Sequence, residues 1–127
     1  MAWKRVGKYN SRKMIVNGIP FDSRKEGRRY IELRMRELRG EITDLKLQVP
    51  FELFPEAREP DTVGPRGGVK HGKVIERKCE YIADFVYKEN GVEIVEDTKS
   101  EATRKKESYI VKRKAMLYLK GIRIREV

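Results

Sequence analysis

The sequence predicts a mixed α/β (α+β) fold, in which one central mixed sheet is flanked by helices. Three observations support this prediction. The 127 residues suffice for one domain with a real core, and no internal repeat or domain boundary divides residues 1–127. The periodic segments follow the order helix, three strands, helix and strand, abbreviated αβββαβ. The strand–helix–strand ending implies a right-handed crossover between parallel strands, which makes the sheet mixed and packs helices against it.

Two elements precede this core. Residues 1–13 form a basic arm with interleaved aromatic residues. This composition is typical of an arm that grips phosphates and stacks on bases, and also of a disordered tail; we favour the nucleic-acid interpretation. Residues 14–16 and 19–21 flank Asn17-Gly18, which predicts a very short β-hairpin.

The first helix is predicted from Ser23 to Arg39. Ile31, Met35 and Leu38 recur at positions i, i+4 and i+7, which predicts an apolar stripe that faces the core. Gly40 ends the helix.

Glu26 in the first turn of this helix has two interpretations. With Ser23 it fits the S-x-x-E capping box, in which the glutamate bonds back to the N-cap amide. On a helical wheel it also lies beside Tyr30, at the edge of the apolar stripe, from where it could point into a cleft against the sheet. The pattern alone leaves both interpretations open.

Residues 41–54 predict a strand or a pair of strands. Apolar and polar residues alternate over the second half, and Pro50 indicates an edge or a bulge. In this alternation, Gln48 lies on the face opposite to Leu47 and Val49.

Residues 55–73 predict a long mobile loop. They contain three prolines and four glycines and show no periodicity. Long loops in compact domains are usually functional or disordered. Arg66 and Lys70 in this loop are candidate phosphate contacts.

The second helix is predicted from Thr103 to Lys120. Its predicted buried side consists of Val111, Ala115, Tyr118 and Leu119. The helix carries seven basic residues against one acid, Glu107, an imbalance that favours contact with a polyanion over a merely solvated face. Lys105, Lys106, Lys112 and Arg113 are therefore candidate nucleic-acid contacts. Residues 122–127 predict a closing strand.

The central element is a hairpin between these two regions. Residues 81–87 and 92–98 are rich in β-branched and aromatic residues and flank Asn90-Gly91, which suits a two-residue type I′ turn. Counting outward from this turn places Asp84 opposite Asp97, with Cβ atoms roughly 4.5–5.5 Å apart.

Two carboxylates that face each other across a strand pair repel, so something should offset the repulsion. A divalent cation, a shared proton or a nearby base would do so. Oxygen ligands on a rigid sheet suit Mg²⁺ or Mn²⁺, and Lys99 projects from the same face as Asp97. The alternative is a solvated hairpin edge on which charges alternate for solubility.

Composition narrows the classes of partner and chemistry. Thirty Lys and Arg against twenty Asp and Glu give a net charge of +10, which predicts a polyanionic partner, nucleic acid ahead of a membrane surface. A single cysteine, Cys79, excludes an internal disulfide and a thiolate zinc cluster. A single histidine, His71, argues against mechanisms that need two. No apolar run approaches a membrane span or a signal core, so we expect an intracellular protein.

Four sequence blocks carry a resemblance to a known family. They are F-D-S-R-K-E-G-R-R-Y, L-Q-V-P-F-E-L, Y-I-A-D-F-V-Y and V-E-D-T-K-S, in this order. Together with the αβββαβ order, they resemble a family of small phage-encoded proteins of unknown function that carry the core of the PD-(D/E)XK nuclease superfamily. The resemblance covers nearly all of the chain from Val16 onward and implies a restriction-endonuclease-like core.

The resemblance implies a role for each residue of the motif. Asp84 would ligate the catalytic Mg²⁺ (or Mn²⁺), Asp97 would be the second carboxylate ligand, and the Thr98 backbone carbonyl would be a third. Lys99 would orient the attacking water and stabilise the charge of the pentavalent phosphorane. Glu26 would bind the metal directly or through water, as helical acids do in resolvase-like members.

Gln48 and Lys112 are implied neighbours of this site. The chain departs from the family pattern at two positions, because the second acid is aspartate rather than the commoner glutamate, and Ala83 stands where proline is usual. Aspartate is one methylene shorter, so the metal must sit closer to the strand. Glu96 should point to the other face, and a register slip of one residue would bring it into the site instead.

Two classes of function follow. The first is a Mg²⁺-dependent endonuclease that hydrolyses DNA phosphodiesters by in-line attack of a metal-activated water. Within it we favour a dimeric, resolvase-like enzyme that selects branched DNA, because the chain is too small for a separate sequence-reading domain; a nicking or restriction-like enzyme is the alternative. The second class is a non-catalytic nucleic-acid-binding protein. The expected partners are DNA and a second copy of the chain, without a membrane or a small-molecule cofactor, in the cytoplasm of the host cell if the protein is phage-encoded.

Overall fold

The computed structural model describes residues 13–127, so the predicted arm at 1–13 lies outside the described residues except for its last position. In chain order the elements are β1 (Met14–Val16), β2 (Ile19–Phe21), α1 (Arg24–Leu38), β3 (Thr43–Phe54), β4 (Ala57–Arg58), β5 (Thr62–Val63), β6 (Val69–Lys70), β7 (Val74–Glu76), β8 (Cys79–Glu89), β9 (Val92–Asp97), α2 (Glu101–Arg104), α3 (Glu107–Lys120) and β10 (Arg125–Glu126).

The central sheet has four strands in the order β10-β9-β8-β3. Strands β3, β8 and β9 pair antiparallel, whereas β10 returns through α2 and α3 to pair parallel with β9. The sheet is therefore mixed, and the elements α1, β3, β8, β9, α3 and β10 follow the predicted order. The predicted α/β (α+β) fold class is confirmed.

One helix covers each face of the sheet. Tyr30 and Leu33 of α1 pack into a buried cluster that includes Phe85 of β8. Tyr109 and Met116 of α3 pack into a second cluster. That second cluster includes Val86, the neighbour of Phe85, and successive strand residues point to opposite faces. The two cores thus lie on opposite sides of the sheet.

Both predicted hairpins are confirmed. β1 and β2 pair around Asn17-Gly18. In the central hairpin, Asn90 and Gly91 have φ values of 52° and 75°, as a type I′ turn requires. The pairs Glu89–Val92 and Phe85–Glu96 give the predicted register. This register carries the two carboxylates to adjacent strands.

The predicted inner face of the first helix is wrong. Ile31, Met35 and Leu38 are exposed, whereas the buried residues of α1 are Glu26, Gly27, Tyr30 and Leu33. The buried stripe includes a carboxylate and a glycine, so the apolar periodicity pointed to a neighbouring face. Gly27 packs closely against Met14, and a Cβ there would lie 2.7 Å from the Met14 sulfur, so the Met14 side chain would have to shift.

The predicted second helix is also corrected. It is broken into α2 and α3, with Lys105 as the C-cap of α2 and Lys106 as the N-cap of α3. Three of the four residues of its predicted buried side are exposed, namely Val111, Tyr118 and Leu119. Tyr109 and Met116 are buried instead, and Ala115 packs partly against them.

The loop predicted at 55–73 contains regular structure. β4 pairs with β7, and β5 pairs with β6, so the segment forms two short exposed ribbons between β3 and β8. Each strand has only two or three residues, too few for a periodic signal. Within residues 13–127 we find no helix long and apolar enough to cross a bilayer.

Strand β3 departs from the predicted alternation. Leu47 packs against the α1 cluster, but Val49 packs against the α3 cluster, so they do not share a face. Between them, Gln48 has a backbone φ of 49°, in the left-handed region that residues other than glycine rarely adopt. On β8, Ala83 and Phe85 likewise belong to different clusters. On both strands, the alternation between the two faces of the sheet is interrupted at the same level. Gln48 and Asp84 lie at this interruption.

Candidate functional site

Two buried carboxylates lie at the end of the central hairpin. Asp84 on β8 and Asp97 on β9 follow the Phe85–Glu96 pair by one step, and they are 7% and 0% exposed. Asp84 Oδ2 accepts hydrogen bonds from Thr98 N at 2.9 Å and from Thr98 Oγ1 at 2.8 Å. The predicted facing pair is therefore in the interior and is not a solvated hairpin edge.

Glu26 reaches the same place from the first turn of α1. It is 6% exposed, and Gln48 Nε2 donates to Glu26 Oε1 at 2.8 Å and to Asp84 Oδ1 at 3.3 Å. Ser23 Oγ accepts from Glu26 N at 3.1 Å and so caps the helix. The Glu26 carboxylate points to Gln48, so the reciprocal half of a capping box is absent from the described hydrogen bonds. The structure therefore agrees with the interpretation in which the Glu26 side chain points into a cleft against the sheet.

The two oxygens of the Asp97 carboxyl group have different partners. The Tyr81 hydroxyl donates to Asp97 Oδ2 at 2.6 Å. Asp97 Oδ1 is buried, lies 3.4 Å from Lys99 Nζ, and accepts no hydrogen bond from any residue that the structure describes. Buried carboxylate oxygens normally have hydrogen-bond partners, so this oxygen is available to a ligand or a cation.

The three carboxyl groups do not carry three full charges at neutral pH. Burial, and then the charge of Asp84, raise the pKa of Glu26 to about 7. Burial, and then the hydrogen bond with Asp84 and its charge, raise the pKa of Asp97 to about 7. Burial alone would raise the pKa of Asp84 as well, but hydrogen bonds from Asp97 and Thr98 outweigh it and lower that pKa. Without a cation, a proton shared with Asp97 relieves the repulsion, and Asp84 is the anion of the pair.

The donor set fits a hard divalent cation, with one restriction. Within residues 13–127, no three Asp, Glu, His or Cys side chains form a ready cluster for a metal ion. Gln48 bridges Glu26 and Asp84 instead. Mg²⁺ often takes only one or two carboxylates and completes its shell with water and substrate phosphate. Asp84 and Asp97, with the free Oδ1, meet that requirement.

Glu96 faces away from the site. It is 0% exposed, and Arg29 binds it through Nε at 2.8 Å and Nη2 at 2.6 Å, while the Tyr87 hydroxyl donates at 2.8 Å. A bidentate arginine and a tyrosine satisfy this carboxylate on the α1 side of the sheet. These contacts are compatible with the register that brings Asp97 to Asp84.

The comparison with protein families identifies the chain. A family model described as "Protein of unknown function (DUF1064)" matches residues 6–124. The chain belongs to this family. Among curated proteins, nothing matched. Among solved structures, nothing matched either.

In this DUF1064 chain, the predicted basic contacts lie in different surroundings. Lys112 lines a cleft of about 290 Å³ together with Lys99, Tyr81 and Tyr109, so it does neighbour the site. Lys105 and Lys106 are exposed at the junction of α2 and α3.

Arg113 is instead committed within the protein. Its Nη1 lies 3.3 Å from Glu126 Oε1, and its guanidinium lies 5.8 Å from the centroid of the Tyr109 ring. Arg66 lies in the turn between β5 and β6, and Lys70 lies on β6; both are exposed on the ribbon.

Sequence reasoning on this DUF1064 member missed two features of the site. Tyr81, which orients Asp97, is the first residue of the predicted strand, and its hydroxyl carries no sequence signal of its own. The second feature is a basic cleft of about 320 Å³ beside α1, lined by Lys25, Arg28, Arg29, Glu32, Thr98 and Val127. The signal for this cleft in the sequence is the excess of basic residues in R-K-E-G-R-R.

Proposed function

We propose that the protein is a Mg²⁺-dependent endodeoxyribonuclease of the PD-(D/E)XK type. The observation that carries this proposal is the pair of buried carboxylates, Asp84 and Asp97, with one unsatisfied oxygen beside Lys99. The four sequence blocks that resemble phage-encoded PD-(D/E)XK proteins support it. The net charge of +10 supports a nucleic-acid substrate.

Asp84 and Asp97 would hold Mg²⁺, or Mn²⁺ in its place, and the Thr98 carbonyl is the third expected ligand. When bound, the ion supplies Lewis-acid stabilisation of the phosphate and lowers the pKa of a bound water. Thr98 keeps Asp84 ionised through two hydrogen bonds, and Tyr81 fixes the Asp97 carboxyl through Oδ2. Both acids are thus oriented before a cation arrives, which reduces the reorganisation that binding requires.

Lys99 and Glu26 complete the proposed machinery. Lys99 Nζ stands 3.4 Å from the free oxygen of Asp97, from where it can orient the attacking water and stabilise charge on the phosphorane. Glu26 is kept at the site by Gln48, and its pKa of about 7 allows it to accept a proton near neutral pH. In the proposed role it binds the ion directly or through water.

We favour branched DNA as substrate, cut by a homodimer in the manner of a junction resolvase, over plain duplex DNA that is nicked or cut by a restriction-like enzyme. Residues 13–127 are organised around one four-stranded sheet, and we propose that this fold selects its DNA substrate by shape. A non-catalytic nucleic-acid-binding protein is the second candidate, and the lack of a three-residue metal cluster within residues 13–127 favours it.

The decisive experiment compares cleavage of a four-way junction and of supercoiled plasmid by wild-type protein, with Mg²⁺ and with EDTA. Asp84→Asn should abolish cleavage while DNA binding persists, because the substitution removes a metal ligand and also relieves repulsion. Asp44→Asn is the matched control, since Asp44 is exposed and lies 3.6 Å from Lys88. Cleavage by Asp84→Asn at the wild-type rate would refute the site. DNA binding with no cleavage of either substrate by the wild type would favour the binding protein.

A further inference from the structure

The basic residues of α1 and its C-cap divide into two groups. From Arg29 onward every arginine pairs with glutamate: Arg29 with Glu32 and Glu96, Arg34 with Glu37, Arg36 with Glu41 and Glu89, and Arg39 with Glu41. Arg24, Lys25 and Arg28 form no ion pair with any residue from 13 to 127. Lys25 Nζ donates one hydrogen bond, to the Lys99 carbonyl at 3.2 Å.

This distribution opposes the electrostatics of the helix. The N-terminal end of a helix carries a partial positive charge, which disfavours cations within the first turns. Arg24, Lys25 and Arg28 occupy those turns, and the one acid of the first turn, Glu26, points inward to Gln48. The cations therefore accumulate where the helix itself destabilises them, while those that the helix tolerates better are paired. An external anion accounts for both facts.

Two of the three unpaired cations line a cleft beside the candidate site, and the third, Arg24, lies one turn before Arg28 on the same helix. Lys25 and Arg28 line the basic cleft of about 320 Å³, and so does Thr98, which donates two hydrogen bonds to Asp84. On the α3 side lies the cleft that contains Lys112. It is also lined by Lys99, the residue that follows Thr98 in the sequence. Basic surfaces thus flank the two carboxylates on both sides.

We propose that Arg24, Lys25 and Arg28 form a phosphate-binding subsite for the nucleic-acid strand that enters the candidate site. The subsite holds a phosphate next to the one that is attacked, and the strand crosses from this cleft over Asp84 toward Lys112. A guanidinium can bind a phosphate with two parallel hydrogen bonds, and an ammonium adds a compact charge. This inference rests on the proposed function and specifies how its substrate is held.

The test uses two variants with equal loss of charge on one helix. Arg24→Gln/Lys25→Gln/Arg28→Gln removes the subsite, and Arg34→Gln/Arg36→Gln/Arg39→Gln removes three paired cations. Binding of a fluorescein-labelled duplex and of a four-way junction is measured by anisotropy, in EDTA, over a range of salt concentrations. The first variant should reduce the slope of log K against log salt by roughly 2 to 3 on duplex DNA, since each lost phosphate contact removes about 0.9. The second should leave the slope near the wild-type value.

Equal slopes for the two variants, or a wild-type slope for the first, would overturn the subsite. Arg24→Gln/Arg28→Gln is a second variant that leaves the Lys25–Lys99 contact intact, and it should lose a slope of roughly 2. Thermal melts confirm that each variant is folded. Binding in EDTA requires no catalysis, so the two proposals can fail separately. If the wild type cuts neither DNA but the two variants still differ in salt slope, the nuclease is refuted and the subsite is retained. Cleavage and binding by the first variant at wild-type levels would retain the nuclease and refute the subsite.

Discussion

Replacing Arg29 should strongly destabilise the fold, because Arg29 neutralises the most deeply buried acid outside the candidate site. Glu96 is 0% exposed and takes two of its three described hydrogen bonds from the Arg29 guanidinium. Arg29→Met keeps a long side chain against the sheet but leaves the carboxylate without its counter-charge. Breaking a buried ion pair in this way costs about 3–5 kcal/mol. For a chain of this size, that loss corresponds to a fall in Tm of roughly 10–20 °C.

The matched control is Arg36→Met, two turns further along the same helix. Arg36 pairs with Glu89 at 2.8 Å and Glu41 at 3.3 Å, but these partners remain accessible to water. Solvent-exposed ion pairs contribute little to stability, so this variant should melt close to the wild type. Thermal unfolding followed by circular dichroism compares the two variants directly.

A rescue variant tests the physical reason. In Arg29→Met/Glu96→Gln the buried charge is gone, while the amide still accepts the hydrogen bond from Tyr87. More than half of the lost Tm should return. A melting temperature of Arg29→Met equal to that of Arg36→Met, or a double variant no more stable than Arg29→Met, would refute the account of Glu96 as a buried anion held by Arg29.

Three further predictions concern protons, metal and nucleic acid. Glu26→Gln should match the wild type in Tm at pH 4, where Glu26 is protonated in the folded protein and largely protonated in the unfolded chain. It should exceed the wild type at pH 8, because the pKa of about 7 means that ionisation of Glu26 costs stability. In a cleavage assay the same variant should lose activity, because Glu26 binds the ion in the proposed role. For the metal-free wild type, the raised pKa values of Glu26 and Asp97 predict a free energy of unfolding that falls as pH rises from about 4 to about 7, and Mg²⁺ should raise Tm more at pH 8 than at pH 6. Lys105→Ala/Lys106→Ala/Lys112→Ala should weaken binding to all DNA sequences and lower the salt slope by about 0.9 per lost contact, measured by anisotropy.

The sequence predicted the central hairpin well because one local signal determines it. Asn90-Gly91 adopts the two positive φ values of a type I′ turn, and the turn then sets the pairing of every residue outward to Phe85–Glu96. No long-range information is needed for that step. For this reason the approach of Asp84 to Asp97 could be predicted from residues alone.

The helix faces could not be predicted in the same way. The buried side of α1 carries Glu26 and Gly27, and a pattern search for apolar residues rejects both. Ile31 and Met35 then define a regular stripe that happens to face outward. On α3, Tyr118 is 83% exposed although the sequence pattern placed it on the buried side. Apolar periodicity identifies a helix, but packing against the sheet decides which face is buried.

The alternation on β3 failed at the residue that links the candidate site together. Gln48 is left-handed, a conformation that costs on the order of 1–2 kcal/mol for a residue with a side chain, and no sequence rule places it there. Such conformations persist where the surrounding structure over-determines them, and they cluster at functional sites. At Gln48, the side-chain amide donates hydrogen bonds to Glu26 and to Asp84, and these contacts hold the residue in this conformation.

The interruption of the alternation at this level explains why a polar site can exist between two apolar cores. Leu47 and Phe85 pack under α1, whereas Val49 and Ala83 pack under α3, so the residues between them belong to neither cluster. Gln48 and Asp84 occupy that gap and can meet a side chain from α1 without displacing an apolar contact. In a regular strand, Leu47 and Val49 would share one face of the sheet and the Gln48 side chain would point to the opposite face. That orientation would separate Gln48 from Glu26. The irregular backbone is therefore what brings a helical acid and a strand acid to one amide, next to the unsatisfied oxygen of Asp97.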